Sequence, residues 1–173
     1  SYLFFIILLA SVACNDHKST AALNSPSIDS QLTTKLKESS QNYLKAWSEI
    51  NAAILNEITI RNVVRNVNGE IASSNQTELQ NRINFWHIAL PDFKLFANEV
   101  TVIGNRTFIS WMLTGTNTGM YGEMTPTGKK CESHGFSILT FDKSQQIIHI
   151  TDYLDELGLM TQMGYSLQPP NTD

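Results

Sequence analysis

The sequence is poor in cysteine, in clustered positive charge and in cofactor motifs. Its 173 residues include two cysteines, Cys14 and Cys131, and four scattered histidines, His17, His87, His134 and His149. Metal sites need ligands at short, regular spacings, and none is present, so no metal is expected. There is no glycine-rich phosphate loop and no nucleotide motif, so no cofactor is expected. The longest basic run is Lys129-Lys130 and the formal net charge is −4. A nucleic-acid partner would require a basic patch, and that class is set aside. Internal repeats and low-complexity core segments are also missing. What is there, 42% hydrophobic and 16% charged residues, is the composition of one globular domain with a real core.

Tyr2 to Leu9 is an unbroken apolar run, followed by Ala10-Ser11-Val12-Ala13-Cys14. It reads as a secretory signal too short to span a bilayer. No Met or basic stretch precedes it, so the chain is expected to begin inside that signal. Cys14, where the small residues end, resembles the lipidated cysteine of a bacterial lipobox, although Ser11 stands where Leu is commonest. The expectation is an exported bacterial envelope lipoprotein, anchored at Cys14 and touching membrane only through that lipid. An ordinary secreted protein is the alternative. With Cys14 so used, Cys131 is left as a small buried hydrophobe in a strand. Residues 1–14 are then signal and lipobox, 15–30 a flexible tether, 31–166 the domain and 167–173 a tail.

Leu32, Leu36, Tyr43, Leu44, Trp47, Ile50, Ile54 and Leu55 recur at helical spacing, with a break near Asn51. Ile58 to Val67 reads as a short strand or irregular edge segment, closed by an Asn68-Gly69 turn. Asn75-Gln-Thr-Glu78 opens a second helix through a capping box, and Pro91 ends it. From Phe93 onward the chain reads as sheet. Strands are expected at Phe93–Val102, Arg106–Thr116, Lys129–Phe141 and from Gln146, with a hairpin at Gly104-Asn105 and a long loop from Gly115 to Gly128. A small helix follows. Helices first, then a meander of antiparallel strands, means an α+β domain with helices on one face of a curved sheet.

The stretch Gln146–Gly164 carries the strongest chemical signal. Strands are depleted in Asp, yet Asp152 lies in an apolar strand, with Asp155 just beyond it. A carboxylate in an apolar pocket has its charge disfavoured, which suits it to moving a proton beside a carbonyl. Ser137, Ser110 and Tyr121 are candidates to hold the developing oxyanion. Each residue also has a structural reading: Asp152 as an ion-pair partner, Asp155 as a helix cap, and Trp86, His87 and Trp111 as core. His134 would then belong to an outer or dimer face.

His87-x-x-Leu-Pro-Asp92, Trp111-x-x-x-Gly115-Thr-Asn-Thr-Gly119, Pro126-Thr-Gly128 and Asp152-x-x-Asp155-Glu-Leu-Gly-Leu-x-x-Gln162-x-Gly164 together resemble the SnoaL-like, polyketide-cyclase-like family of the nuclear-transport-factor-2-like superfamily, from about Leu36 to Gly164. The resemblance implies a cone-shaped α+β barrel, in which a strongly bent antiparallel sheet wraps N-terminal helices around an apolar cavity. It implies homodimers through the outer face of the sheet. It places the acid/base of an intramolecular aldol closure at Asp152 and puts Ser137 where those cyclases carry an assisting histidine. Ser137 is where this chain departs from those cyclases. Asp152 is expected on the cavity side, in phase with Ile148 and Ile150, with few Lys or Arg in reach. Trp111, Tyr121, Ser110, Asp155, His134, Trp86 and His87 are the candidate lining. Three functions follow: a cofactor-free enzyme for cyclisation, isomerisation or hydrolysis of a small apolar molecule, a non-catalytic module binding such a molecule, or a protein-interaction domain.

Overall fold

The computed structural model describes residues 28–166. The signal and lipobox with Cys14, most of the tether and the tail lie outside the described residues. Helix α1 (Ile28–Glu49) begins inside the stretch read as tether, three residues before the expected domain start. Its buried side, Leu36, Ser40, Tyr43, Leu44 and Trp47, follows the helical repeat. Ile50, at a positive φ of 54°, breaks the helix. Asn51 then caps α2 (Ala52–Ile58) by accepting from the Ile54 amide at 3.0 Å.

Strand β1 (Thr59–Val67) turns through Asn68 and Gly69, both at positive φ, into β2 (Glu70–Ser73). Helix α3 (Gln76–Ala89) opens on the expected cap: Asn75 accepts from the Glu78 amide at 2.9 Å, and Glu78 reaches back to the Ser74 amide at 2.7 Å. Strands β3 (Lys94–Ile103), β4 (Arg106–Thr116), β5 (Lys130–Phe141) and β6 (Ile147–Leu154) follow, and α4 (Glu156–Gln162) ends the described chain.

The fold is α+β, with a curled but unclosed sheet ordered β2-β1-β6-β5-β4-β3. It departs from an antiparallel meander in one place, where β1 runs parallel to β6. β1 is therefore interior, not an edge segment. Helix α1 lies against β3 and β4, and α3 against β1 and β2. Ser40 ties α1 to the sheet by a buried hydroxyl contact with Thr107 at 2.8 Å.

Alternation sorts the strands into two faces. In β4, Thr107, Ile109, Trp111 and Leu113 are buried, while Phe108, Ser110 and Met112 are only partly covered. Register carries that inner face across the sheet: Ile109 pairs with Ser137, Ser137 with Asp152, and Asp152 with Val67. Ile150 and Asp152 face inward as the alternation requires. A register shift at Thr140/Phe141 makes Ile147, not Ile148, the fully buried residue at the start of β6.

Candidate functional site

Asp152 is 3% exposed, and both its oxygens are taken. Its Oδ1 accepts from the Ser137 hydroxyl at 2.6 Å, and its Oδ2 from Arg65 Nε at 2.6 Å. Ser137 in turn accepts from Trp111 Nε1 at 2.8 Å. Short charge-assisted bonds of this kind fix geometry as well as contribute energy. The row Trp111–Ser137–Asp152–Arg65 thus links β4, β5, β6 and β1 through side chains alone. Arg65 is the departure from expectation. It belongs to the β-branched strand β1, and the parallel pairing brings it to Asp152 from 87 residues away.

Two further contacts shape this row. Arg65 stacks over the Trp47 ring, its guanidinium carbon 4.7 Å from the centroid. The six-membered ring of Trp111 fills the space beside Gly135 on β5, where any Cβ would overlap it. Burial opposes the Arg65 charge, but the neighbouring Asp152 more than offsets it and raises its proton affinity. Burial also pushes the Tyr43 phenol far above its usual range, and the Asp152 charge adds to this. Tyr43 therefore keeps its proton at neutral pH.

These residues wall a cavity of about 30 Å³. Tyr43, Leu44 and Trp47 come from α1 and Trp86 from α3; Phe93, Leu95, Leu113 and Leu154 complete the apolar wall around Trp111, Ser137, Asp152 and Arg65. A second hollow of about 100 Å³ shares Arg65, Trp86 and Leu154 with it and is rimmed by Arg82 and Glu156. The inner volume is far below the roughly 300–1,000 Å³ of sites for drug-sized ligands, but it exceeds the about 10–15 Å³ needed by one water.

Of the sequence candidates, Asp152, Ser137, Trp111 and Trp86 meet at this cavity. Tyr121 stands behind Trp86, ring centroids 5.5 Å apart, and donates to Glu156 at 2.9 Å. It supports the wall without lining the cavity. His87 also lies outside the lining, bonded at 2.7 Å to the Trp47 carbonyl. Ser110, His134 and Asp155 also lie outside the lining, the last two in the outer-face and cap positions that were their structural readings. Ser110 alternates out of phase with Trp111 and belongs to the opposite face. His134, paired in register with the outward Met112, is exposed and 3.6 Å from Glu132. Asp155 is exposed and caps α4 by accepting from the Gly158 amide at 2.8 Å. Tyr43, Trp47 and Arg65 were not among the sequence candidates. For Arg65 a signal existed: a charge inside a β-branched strand is as anomalous as Asp152. Among the described residues no group of His, Cys, Asp and Glu could hold a metal ion.

The domain is thus a curled α+β sheet with helices against it and a polar row facing a small aromatic cavity. The family profile described as SnoaL-like polyketide cyclase matches residues 37–163, and the chain belongs to that family. No curated protein matches it in sequence. Among solved structures it is similar to AclR, a candidate hydroxylase from Streptomyces galilaeus. That match has TM-score 0.69 and 17% identity, and covers 80% of this chain and 87% of that one. A candidate SnoaL-like polyketide cyclase from Jannaschia sp. CCS1 gives TM-score 0.70 at 15% identity, covering 79% and 96%. IdmH, a candidate polyketide cyclase from Streptomyces antibioticus, gives 0.66 at 14%, covering 75% and 99%. At these identities the likeness is one of fold.

Proposed function

We propose that this protein is a non-catalytic module that binds a small, largely apolar molecule, and that Asp152 serves it as a structural counter-ion. The observation that carries this reading is the Arg65–Asp152 pair. Each Asp152 oxygen already accepts a 2.6 Å bond, from Ser137 or from Arg65, before any ligand arrives. An acid/base catalyst needs its carboxylate within reach of the substrate's proton. Here the carboxylate lines the cavity but is engaged by Ser137 and Arg65, and the other walls are mostly aromatic and aliphatic. The second hollow, lined by Arg82 and Glu156, adjoins the cavity at Arg65, Trp86 and Leu154, and the small inner volume favours a compact ligand or one that displaces Trp86 or Leu154 on entry.

Mass spectrometry of small molecules released from the purified domain tests this reading. A compact apolar species, retained by wild type at near-stoichiometric level and returned unchanged after incubation, is the expected result. Conversion of that species by the protein, with turnover lost in Ser137→Ala, would replace binding by catalysis.

We place the protein at the bacterial cell envelope, anchored by lipid on Cys14, with the apolar run before it as the motivation. Metabolic labelling with a fatty-acid analogue, in a bacterial host and with a complete signal, should label wild type and not Cys14→Ala. An unlabelled wild type would sink the anchor.

A further inference from the structure

Between α2, the start of β1 and the first turns of α3 the surface opens into a hollow of about 610 Å³, which shares no residue with the aromatic cavity. Its size lies within the roughly 300–1,000 Å³ of small-molecule sites. Ala52 is the one apolar side chain of its lining, and the rest are amides, a hydroxyl and a guanidinium. Much of this polarity is uncommitted. Among the described residues, the side chains of Asn56, Arg61, Thr77 and Asn81 make no hydrogen bond or ion pair. Gln76 gives its Nε2 to Thr59 at 3.0 Å and keeps Oε1. Gln80 gives its Nε2 to Asn84 at 3.2 Å, and its Oε1 is buried with no partner. A buried acceptor left unmade is costly, and a donor from a bound molecule would relieve it.

This lining selects among ligands. An apolar molecule, or a peptide with side chains to seat, finds no apolar floor. An anion finds Arg61 but little else. The N-terminus of α3 adjoins the hollow, and it is already closed: Asn75 accepts from the Glu78 amide at 2.9 Å, and Glu78 from the Ser74 amide at 2.7 Å. The Glu78 carboxylate thus holds the favourable end of the helix dipole and repels a second negative charge. What remains is a neutral molecule with donors and acceptors spread over its surface. Asn56, Thr77 and Asn81 each offer both, Arg61 donates, and Gln76 and Gln80 accept. The hydroxyls of a sugar ring match this mixture, since each of them donates and accepts. We propose that the hollow between α2, β1 and α3 binds a neutral saccharide, its ring hydroxyls bonded by Asn56, Arg61 and Asn81, with Gln80 Oε1 accepting from one of them. No aromatic ring lines the hollow. Affinity therefore rests on hydrogen bonds exchanged with water, and a Kd of roughly 1 mM is expected.

Amide NMR titration of the isotope-labelled wild-type protein tests this, with maltose, N,N′-diacetylchitobiose and inorganic phosphate as probes. At least one of the two sugars should shift the backbone amides of Asn56, Thr77 and Asn81 saturably, and phosphate should leave them unmoved. Asn81→Ala, a change at an exposed helix position, should weaken that sugar about fivefold or more while the rest of the spectrum stays in place. Arg61→Gln, on a different element, should weaken it as well and serves if Asn81→Ala disturbs α3. Saturable shifts from phosphate alone would overturn the assignment in favour of an anion site. Sugar-induced shifts at the indoles of Trp47, Trp86 and Trp111 instead would place the sugar in the aromatic cavity and overturn it too. Shifts that grow with both sugars without saturating would show that the hollow is no site. That last result leaves the apolar-ligand reading standing, because the hollow and the cavity share no residue.

Discussion

Asp152 is embedded among partners, and that changes what its removal does. If it faced an apolar pocket alone, Asp152→Asn would leave the fold nearly untouched. With Arg65 bonded to it at 2.6 Å, the same substitution strands a guanidinium that is 7% exposed. Breaking one side of a buried pair typically costs about 3–5 kcal/mol, so Asp152→Asn should lower urea stability by that order. Replacing both partners, Arg65→Met with Asp152→Leu, should recover most of the loss, because no unpaired charge remains. A single variant as stable as wild type would show the pair to be energetically idle. At this scale the sequence was half legible. Asp152, Ser137, Trp111 and Trp86 stood out as anomalies or matched motif positions. Tyr43 and Trp47 did not, because on a helical stripe a residue at the cavity and a residue in plain core have the same periodicity.

The elements themselves were legible nearly to their ends where local chemistry sets them. Asn75 and Glu78 start α3, Asn68-Gly69 turns β1 into β2, and Arg106–Thr116 forms β4. Asp155 shows how a local rule can outrank a motif. Its carboxylate takes the Gly158 amide, and a side chain at position 158 would collide with it, so Gly158 and Asp155 fit as a unit. Asp155→Ala should therefore destabilise the domain by about 1 kcal/mol, as loss of an N-cap does, without changing ligand affinity. Chemical denaturation beside a ligand titration checks both halves, and a large affinity loss at unchanged stability would return Asp155 to the site. The β1–β6 pairing was beyond such rules. No local spacing reports that a strand near residue 65 will lie parallel to one near residue 152.

For the whole molecule, the outer face of the sheet matters most. Phe136 and Tyr153 are neighbours in register there, Phe96 pairs with Met112, and Phe108 sits 6.3 Å from Phe136 between ring centroids. Phe96, Phe136 and Tyr153 are 48%, 37% and 50% exposed, and a strand apolar on both faces needs two covers. We expect a homodimer through this face, and light scattering at high micromolar concentration should give twice the chain mass, falling to one chain in Phe136→Glu. A monomer mass for wild type would count against it. The parallel strand pair has a different consequence, one of timing. β1 leaves the ribosome long before β6, and Arg65 waits for a carboxylate 87 residues downstream. Contacts so distant in sequence are slow to close. Until β6 docks, the sheet has a gap between β1 and β5, and a basic side chain in its interior has nothing to neutralise it. The last strand thus works as a proof of completeness: a chain cut short before it can bury its hydrophobic face only by burying an unpaired charge as well, and it is left open to proteolysis.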